Sequence, residues 1–383
     1  MKYCSNCLQP DTRPNSHFSS SGICPACVYI EELKTSQIDW EERFEKVQEI
    51  VSEYKKKQQH PLFDCIIGVS GGKDSTRQAL WIRDKLKLRP LLVSLNYPPE
   101  QITERGTKNI SNLINLGFDM MISSLAPQTW KTLMREGFFK YTNWARATEQ
   151  PLIASVPRIA IREKIPLIFW GENPGLQLGD LGTLGEFGYD GNNLRNMNTV
   201  SGGEVSWMLN AGIKKSEILQ FKYPTIEEFN EANIQIIYLG WFWNDWSLLN
   251  NGMYSALNGL DIRDDGVENT GDYTNVTSLD EDWVTLNQMI KYYKFGFGRV
   301  TDYVNEQIRF GNLTREDGIK LVENYDGSCG QEYIETFCSF IDITIEQFWK
   351  QVHSAVNKDL FVIDEGNTPA GRIIPNFKVG SGN

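Results

Sequence analysis

Hydrophobic and polar residues along the chain follow two different periods. Short apolar runs at 63–70, 90–96, 118–124 and 166–173 predict buried strands, and stretches with helical spacing lie between them. Strand–helix alternation at this interval is typical of a parallel sheet that is covered by helices on both faces. The pattern therefore predicts an α/β fold for this part of the chain.

The regions on either side of this pattern are organised differently. Asp39 and Glu42 have the spacing of a capping box, and apolar residues then recur at helical intervals through Tyr54, which predicts an amphipathic helix. Beyond Asp280 the pattern becomes mainly helical. The Gly- and Asn-rich stretch at 175–203 is long for a simple connection, so we expect a loop that covers a substrate, with an unstructured insertion as the alternative.

The net charge argues against a long nucleic acid as the main partner. The 383 residues carry a formal charge of −11 at pH 7, whereas proteins that bind long nucleic acids normally have a basic surface. The N-terminus has no apolar run of the signal-peptide type, and the most apolar segment, at 236–243, is too short to span a bilayer. We therefore expect a cytoplasmic protein with neither a membrane nor a nucleic acid as partner.

Four of the seven cysteines form two closely spaced pairs near the N-terminus. Cys4 and Cys7 are separated by two residues, and Cys24 and Cys27 repeat this spacing after sixteen further residues. Two such pairs at this distance predict a tetrahedral Zn²⁺ site with four thiolate ligands. A closed site of this kind is structural, and it would stabilise a segment too small to hold a core of its own. A redox role is the alternative.

These patterns divide the chain into four parts. Residues 1–32 form the predicted zinc ribbon, and residues 33–60 form the amphipathic linker helix. Residues 61–250 form the α/β domain. Residues 251–383 form a mainly helical C-terminal region, which we expect to contact the substrate or a partner.

A glycine-rich turn lies where the first predicted strand meets its helix, and residues 70–75 read Ser-Gly-Gly-Lys-Asp-Ser. A Walker A loop requires glycine at position 67 and Ser or Thr at position 74, where this chain has Ile67 and Asp74. The turn still favours a polyphosphate, and a carboxylate beside phosphate favours a Mg²⁺ ion between them. A chance glycine turn is the alternative. The predicted ATP-binding residues of the loop are Ser70, Gly71, Gly72, Lys73, Asp74 and Ser75.

Further candidates follow the later strands, at the edge of the sheet where ligands bind in open α/β folds. Ser94 and Asn96 end the second strand and Gly171 ends a later one, and we assign all three to ATP. Glu172 is the candidate for holding Mg²⁺ or for acting as a base toward an incoming amine, with an ordinary exposed carboxylate as the alternative. Asn173 is assigned to the second substrate.

The Ser-Gly-Gly-Lys-Asp-Ser segment resembles the PP-loop of the ATP pyrophosphatase superfamily, whose members cleave ATP between the α and β phosphates. Other segments accompany this loop in a specific order along the chain. They are the cysteine pairs within 3–27 before the loop, and the Phe-Trp-Gly-Glu-Asn segment at 169–173 and the stretch at 295–327 after it. This order resembles that of the N-acetyl sugar amidotransferases (WbpG-like and PseA-like), over nearly the whole chain. The resemblance implies an adenine nucleotide alpha hydrolase-like fold.

The same resemblance implies an AMP-forming carbon–nitrogen ligase. In that reaction the carbonyl oxygen of an N-acetyl group on a nucleotide sugar is adenylylated, pyrophosphate leaves, and ammonia displaces AMP. The product is an acetamidino sugar for lipopolysaccharide O-antigen or related glycans. A UDP-linked diacetamido mannuronic acid is the first expected substrate and a CMP-linked nonulosonic acid the second. Lys73, Asp74 and Glu172 are the implied catalytic residues, with ATP as co-substrate, Mg²⁺ at Asp74 and structural Zn²⁺.

Members of the group receive ammonia from a separate glutaminase, often with a cyclase-like barrel subunit, so the resemblance implies both partners. The chain's own Gly-Ser-Cys-Gly-Gln segment at 327–331 lacks the last glycine of a glutaminase nucleophile elbow. Arg299, Arg309 and Arg315 lie in the family-like C-terminal stretch and are the candidates for contacting an acidic nucleotide sugar. Each is equally consistent with a surface or structural ion pair.

Two other functions fit parts of the pattern. A tRNA-modifying PP-loop enzyme of the thiolase or lysidine type also combines zinc-binding cysteines with this loop, but it predicts a basic surface and a sulfur-relay cysteine pair. A non-catalytic nucleotide-binding scaffold of a glutaminase complex is the other alternative. The intact loop, with both serines and Asp74, argues against a catalytically inactive copy.

Overall fold

The computed structural model describes residues 1–57, 62–171, 188–197, 200, 203–364, 366 and 368–381. Its centre is a five-stranded parallel sheet with the strand order β3-β2-β1-β4-β5. In chain order the strands are β1 Cys65–Gly68, β2 Pro90–Asn96, β3 Met120–Ser124, β4 Leu167–Trp170 and β5 Gln235–Tyr238. The predicted α/β class with a parallel sheet is confirmed.

Helices precede, separate and follow these strands. The N-terminal helices are α1 Pro25–Thr35 and α2 Trp40–Lys57. Between the strands lie α3 Lys73–Asp84, α4 Glu104–Asn115, α5 Pro127–Tyr141, α6 Arg146–Glu163, α7 Ser206–Asn210 and α8 Ile226–Glu231. After β5 come α9 Leu248–Leu257, α10 Val267–Thr270, α11 Trp283–Phe295, α12 Arg299–Phe310, α13 Arg315–Tyr325, α14 Gln331–Phe340 and α15 Ile345–Ala355. A short antiparallel pair follows, β6 Phe361–Asp364 and β7 Arg372–Pro375.

The two faces of the sheet are covered by different helices. Ile67 of β1 packs with Val47 of α2 and Ala79 of α3 on one face. Ile66 packs with Ala154 of α6 on the other face. Because neighbouring residues of a strand point to opposite faces, each strand contributes to both layers, which explains its continuously apolar sequence.

The predicted linker helix belongs to this core. Asp39 caps α2, since its Oδ1 accepts hydrogen bonds from the N–H groups of Glu41 at 2.9 Å and Glu42 at 3.0 Å. Val47 and Val51 on the apolar face of α2 are buried against the sheet layer. Helix α2 is therefore packed onto the α/β domain and does not act as a free connector.

Helix α9 crosses the boundary that was predicted at 250/251. It packs along α3, and Ser255 Oγ of α9 donates a hydrogen bond to the Lys73 carbonyl at 2.6 Å. Ser255 is fully buried at this contact. The C-terminal region is therefore joined directly to the start of α3.

Aromatic side chains form the core of the C-terminal helical layer. Phe138 of α5 stacks on Phe348 of α15 with ring centroids 5.3 Å apart, and Trp283 of α11 contacts Phe337 of α14 edge-on at 5.6 Å. The predicted mainly helical C-terminal region is confirmed, and it shares its core with α5 of the α/β domain. Within the described ranges, no helix has both the length and the apolar character that crossing a membrane requires.

The N-terminal segment packs against α12. The N–H of Leu8 donates to Asn305 Oδ1 at 2.7 Å. Arg13 forms an ion pair with Asp302 of α12, which also pairs with Lys291 at 2.6 Å. The first residues of the chain are therefore attached to the C-terminal region.

Candidate functional site

The turn between β1 and α3 has the backbone geometry of an anion-binding loop. Gly71 has a φ of +84°, and a Cβ at this position would lie 3.2 Å from the Ile110 backbone nitrogen. Glycine adopts this conformation without strain and leaves room for α4. Gly72 is the extended N-cap of α3, whose free N–H groups and positive dipole end face the turn. The turn therefore presents N–H donors to a bound anion.

The side chains of the turn add charge and bracing hydroxyls. Lys73 Nζ lies 2.7 Å from Asp74 Oδ2. Burial lowers the pKa of Lys73, but the charge and hydrogen bond of Asp74 together with Tyr303 and Glu306 outweigh burial, so the net shift of that pKa is upward and the ammonium stays protonated. Ser75 Oγ donates to the Gly72 carbonyl at 3.1 Å, and Ser70 Oγ accepts from the Gly72 N–H at 3.4 Å.

A cavity of about 190 Å³ lies beside this loop, at the carboxyl ends of β1, β2 and β4. The strand order reverses between β1 and β4, and ligands of open α/β sheets bind where the order reverses. Leu152 and Val156 of α6 form a second wall, and the segment 276–280 of the C-terminal region forms a third. The cavity is therefore enclosed jointly by the α/β domain and the C-terminal region.

Buried arginines hold the segment 276–280 in place. Arg263, whose side chain is 0% exposed, donates to the Ser278 carbonyl at 2.6 Å and pairs with Asp282 at 2.8 Å. Arg299 Nη2 donates to Ser278 Oγ at 3.1 Å. Arg299 is itself buried and is not part of the cavity lining. The structure therefore places Arg299 as a support of the cavity wall.

The second strand lines the cavity with other side chains than the predicted ones. Val93 and Leu95 of β2 form part of the wall. Ser94 and Asn96 are their neighbours in the strand, and alternate residues of a strand point to opposite faces. Val93 and Leu95 therefore line the cavity where Ser94 and Asn96 do not, and the assignment of Ser94 and Asn96 to ATP stays a prediction.

Gly171 and Gln78 meet in a tight corner where β4 ends. A Cβ at Gly171 would come within 2.7 Å of Gln78 Oε1 and 3.0 Å of the Trp246 ring, so a larger residue there would force these side chains to shift. Gln78 lines the cavity and is buried, and its Nε2 has no hydrogen-bond partner among the described residues. A buried donor of this kind is suited to an acceptor atom of a ligand. Gln78 lies one helical turn after Asp74, so the spacing on α3 is a sequence signal that points to it.

Two further polar residues of the site come from segments that sequence reasoning did not assign to it. Asn251 Nδ2 of α9 donates to Asp74 Oδ1 at 2.7 Å. Asp280 lines the cavity, and burial raises its pKa. No spacing in the sequence relates either residue to the loop. Glu172 and Asn173 lie outside the described residues, as does most of the predicted covering loop.

The donor set of the cavity fits a magnesium-bound polyphosphate. The glycine turn offers N–H groups and Lys73 offers a positive charge, which are the usual partners of phosphate oxygens. Asp74 lines the same cavity and offers a carboxylate oxygen, the kind of ligand that Mg²⁺ prefers.

The four N-terminal cysteines converge on one buried point. Their Sγ atoms all lie within 4.8 Å of one another. The N–H of Cys24 donates to Cys4 Sγ at 3.2 Å, and the N–H of Gln9 donates to Cys7 Sγ at 3.4 Å, which stabilises negative charge on the sulfurs. A buried set of four thiols at this separation fits a structural Zn²⁺ site, with Cys27 as the fourth ligand.

Arg309 and Arg315 lie at the cysteine cluster, away from the cavity lining. Arg315 Nε donates to the Cys7 carbonyl at 3.3 Å, and Arg315 Nη2 donates to the Gly380 carbonyl at 3.1 Å. Burial lowers the pKa of Arg309, but the charge of Cys7 and its neighbours outweighs burial and raises it. The structure therefore places both arginines at the candidate metal site, and their assignment to the substrate stays a prediction.

Residues 270–371 match the family model described as LPS biosynthesis protein WbpG-like, C-terminal domain. This part of the chain is similar to that domain, and it is called the WbpG-like domain for this similarity. The predicted resemblance to WbpG-like proteins is thereby confirmed for this range, and lipopolysaccharide biosynthesis is the role that the family's description gives. The WbpG-like domain includes the segment 276–280, so it supplies one wall of the cavity beside the glycine turn. No curated protein matches the chain.

Proposed function

We propose that the chain is an ATP-dependent, AMP-forming amidotransferase that converts an N-acetyl group of a nucleotide sugar into an acetamidino group. One observation carries the proposal: the WbpG-like domain and the Ser-Gly-Gly-Lys-Asp-Ser turn line the same cavity. A polyphosphate held by the turn would lie against the cavity wall that the WbpG-like domain supplies. In this reading the turn is a PP-loop.

The chemistry requires activation of an amide oxygen, which is a very poor leaving group. The carbonyl oxygen attacks the α-phosphorus, the bond from this phosphorus to the bridging oxygen breaks, and pyrophosphate leaves. Ammonia then adds to the activated carbon. AMP departs with the former carbonyl oxygen, and the nitrogen from ammonia gives two of its three protons to solvent to leave a neutral amidine. Atoms balance with ATP and ammonia as the only co-reactants.

The residues of the turn suit the first step. Lys73 and the N–H groups of the turn would stabilise the negative charge that develops on the departing pyrophosphate. Asp74 would hold the Mg²⁺ ion that neutralises phosphate oxygens when ATP is bound. Val93, Leu95 and Val156 give the cavity an apolar side that suits a base or an acetyl methyl group.

Ammonia is proposed to come from a separate glutaminase, with a cyclase-like barrel as a further partner. Cys329 is the cysteine of the Gly-Ser-Cys-Gly-Gln segment. Burial raises the pKa of Cys329 to about 12, so its thiol keeps its proton at neutral pH and is a weak nucleophile. This supports an external source of nitrogen.

The experiment supplies ammonium chloride in place of the partner. The purified chain is incubated with Mg²⁺, ATP and N-acetylated UDP-linked and CMP-linked sugars whose acetyl oxygen is ¹⁸O. The proposal expects AMP and pyrophosphate in equal amounts, ¹⁸O in the phosphate of AMP, and a product with nitrogen in place of oxygen. ADP with orthophosphate, or AMP formation that depends on tRNA and not on the sugar, would overturn it.

A further inference from the structure

A buried amide holds the carboxylate of Asp74. Asn251 is 0% exposed, and its Nδ2 donates to Asp74 Oδ1 at 2.7 Å. Its own Oδ1 accepts from Arg77 Nη1 at 2.8 Å. Because arginine has donors and no acceptor, Arg77 sets the orientation of the amide, with oxygen toward the guanidinium and NH₂ toward Asp74. Asn251 is therefore a directed donor to this carboxylate.

Arg77 is fixed on its other sides. Its Nη2 pairs with Asp245 Oδ2 at 2.6 Å, and its guanidinium lies 4.5 Å from the centre of the Trp243 ring. Only 5% of Arg77 is exposed. A guanidinium held by an ion pair and an aromatic face has little freedom to turn away. The amide of Asn251 therefore keeps its orientation.

Contacts before and after Asn251 hold its helix, α9, in place. Leu248 in the first turn of α9 donates its N–H to Glu306 Oε1 at 2.6 Å, and Ser247 caps the helix through the Asn250 N–H at 3.2 Å. One turn after Asn251, Ser255 Oγ donates to the Lys73 carbonyl at 2.6 Å. Helix α9 therefore contacts the turn twice: Ser255 binds the backbone carbonyl of Lys73, and Asn251 binds the side chain of Asp74.

The two oxygens of Asp74 have different partners. Oδ1 is held by the rigid Asn251 amide, whereas Oδ2 contacts the flexible ammonium of Lys73 at 2.7 Å. If Lys73 turns from Asp74 toward a bound phosphate, Oδ2 of Asp74 becomes free, while Oδ1 keeps its hydrogen bond from Asn251. We propose that Asn251 is a positioning residue that holds the Asp74 carboxylate with Oδ2 presented to the cavity for the magnesium ion of a bound nucleotide. This inference rests on the proposed function.

Binding of a nucleotide that is not cleaved tests the inference without the sugar. The full chain is titrated calorimetrically with α,β-methylene-ATP, with Mg²⁺ and with excess chelator. Asn251→Ala removes the donor to a charged acceptor, so we expect the dissociation constant with Mg²⁺ to rise by roughly 10- to 100-fold. The rise without Mg²⁺ is expected to be smaller, so that the gain in affinity from the metal shrinks.

Two further variants complete the test. Asn250→Ala removes an exposed amide from the neighbouring position of α9, where it donates to the Asp245 carbonyl at 3.2 Å, and we expect nearly unchanged binding. Asn251→Asp keeps the acceptor for Arg77 but cannot donate to Asp74, and it should also lose the gain from Mg²⁺. Melting curves establish that each variant is folded.

The outcomes separate this inference from the proposed function. A folded Asn251→Ala or Asn251→Asp chain whose gain from Mg²⁺ equals or exceeds that of the unaltered chain overturns the positioning role and leaves the proposed function intact. If neither variant folds, Asn251 is a structural residue and the inference fails. If the unaltered chain binds no magnesium nucleotide, the proposed function fails together with it.

Discussion

The carboxylate of Glu306 accepts a hydrogen bond from the backbone N–H of Leu248 at 2.6 Å and thereby joins α12 to the first turn of α9. Helix α12 also carries Arg309, which lies at the cysteine cluster. Helix α9 carries Asn251, which contacts Asp74. The contact between α12 and α9 therefore connects the candidate metal site to the glycine turn.

Glu306→Ala should destabilise the protein, because it leaves the N–H of Leu248 without an acceptor in a buried position. We expect a loss of about 1–3 kcal/mol in the free energy of unfolding, measured by urea denaturation. Glu306→Gln keeps an acceptor and should lose less. Glu323→Ala, at an exposed position of α13, is the control and should change stability by no more than about 0.5 kcal/mol. Equal losses for the alanine and glutamine variants at position 306 would contradict the role of the hydrogen bond.

Cys7→Ser should abolish zinc binding, since it removes one of four ligands that lie within 4.8 Å of one another. We expect one zinc per chain in the unaltered protein and close to none in the variant, measured by elemental analysis. The buried guanidinium of Arg309 then loses its compensating charge, which costs about 3–5 kcal/mol of folding free energy.

Cys329→Ser is the matched control for zinc content, because Cys329 lies outside the cysteine cluster. It should retain one zinc per chain. A full complement of zinc in Cys7→Ser would show that the cluster is not the metal site.

Gln78→Leu should weaken nucleotide binding without lowering the free energy of unfolding. The variant removes a buried donor that has no partner among the described residues, so the free energy of unfolding should stay constant or rise by up to about 1 kcal/mol. Binding of the magnesium complex of α,β-methylene-ATP should weaken by about tenfold if Nε2 donates to the nucleotide. Gln128→Leu on the exposed face of α5 should change neither quantity much. Lost stability with unchanged binding would assign Gln78 to the core.

Glu281 should make the protein less stable as pH rises. Burial raises the pKa of this carboxyl to about 8, and the charge of Asp280 adds to the shift. In the unfolded chain the group ionises near its ordinary value of about 4.5. Between these values the unfolded state binds fewer protons, so stability is full below the lower value and falls by up to roughly 1.4 kcal/mol per pH unit toward the upper one.

Glu281→Gln keeps the acceptor for the Gln101 amide and the Val284 N–H but cannot ionise. Its unfolding free energy should vary less between pH 5 and pH 8 than that of the unaltered chain. Glu104→Gln changes a side chain that is 85% exposed, and it should leave the slope unchanged. Identical slopes in the Glu281→Gln and unaltered chains would show that the carboxyl ionises normally in the folded state.

Local features of the chain were predictable because neighbouring residues determine them. The two pairs of cysteines predicted a metal cluster, and the structure brings the four sulfurs together. The capping position of Asp39 and the strand–helix alternation were also read correctly, since hydrogen bonding at a helix start and the spacing of apolar residues act over a few residues. The positive φ of Gly71 is also a local feature, because the residue type at that position favours it.

Sequence patterns were not informative where the direction of a side chain or a distance in space decides the outcome. Sequence reasoning placed Ser94 and Asn96 at the edge of the sheet, and the pleat turned Val93 and Leu95 toward the cavity instead. A shift of one residue along a strand exchanges its faces, and an apolar strand buried on both sides gives no signal of which face is which.

The sequence by itself determined that the chain forms a parallel α/β sheet, a four-cysteine cluster and a glycine turn at the start of a helix. Only the tertiary structure decided that Arg309 and Arg315 serve the cysteines and that Asn251 holds Asp74. These contacts join residues as far apart as position 7 and position 315. Burial drives such pairings, because a charged or polar group removed from water must find its partner among whatever side chains the fold brings near it.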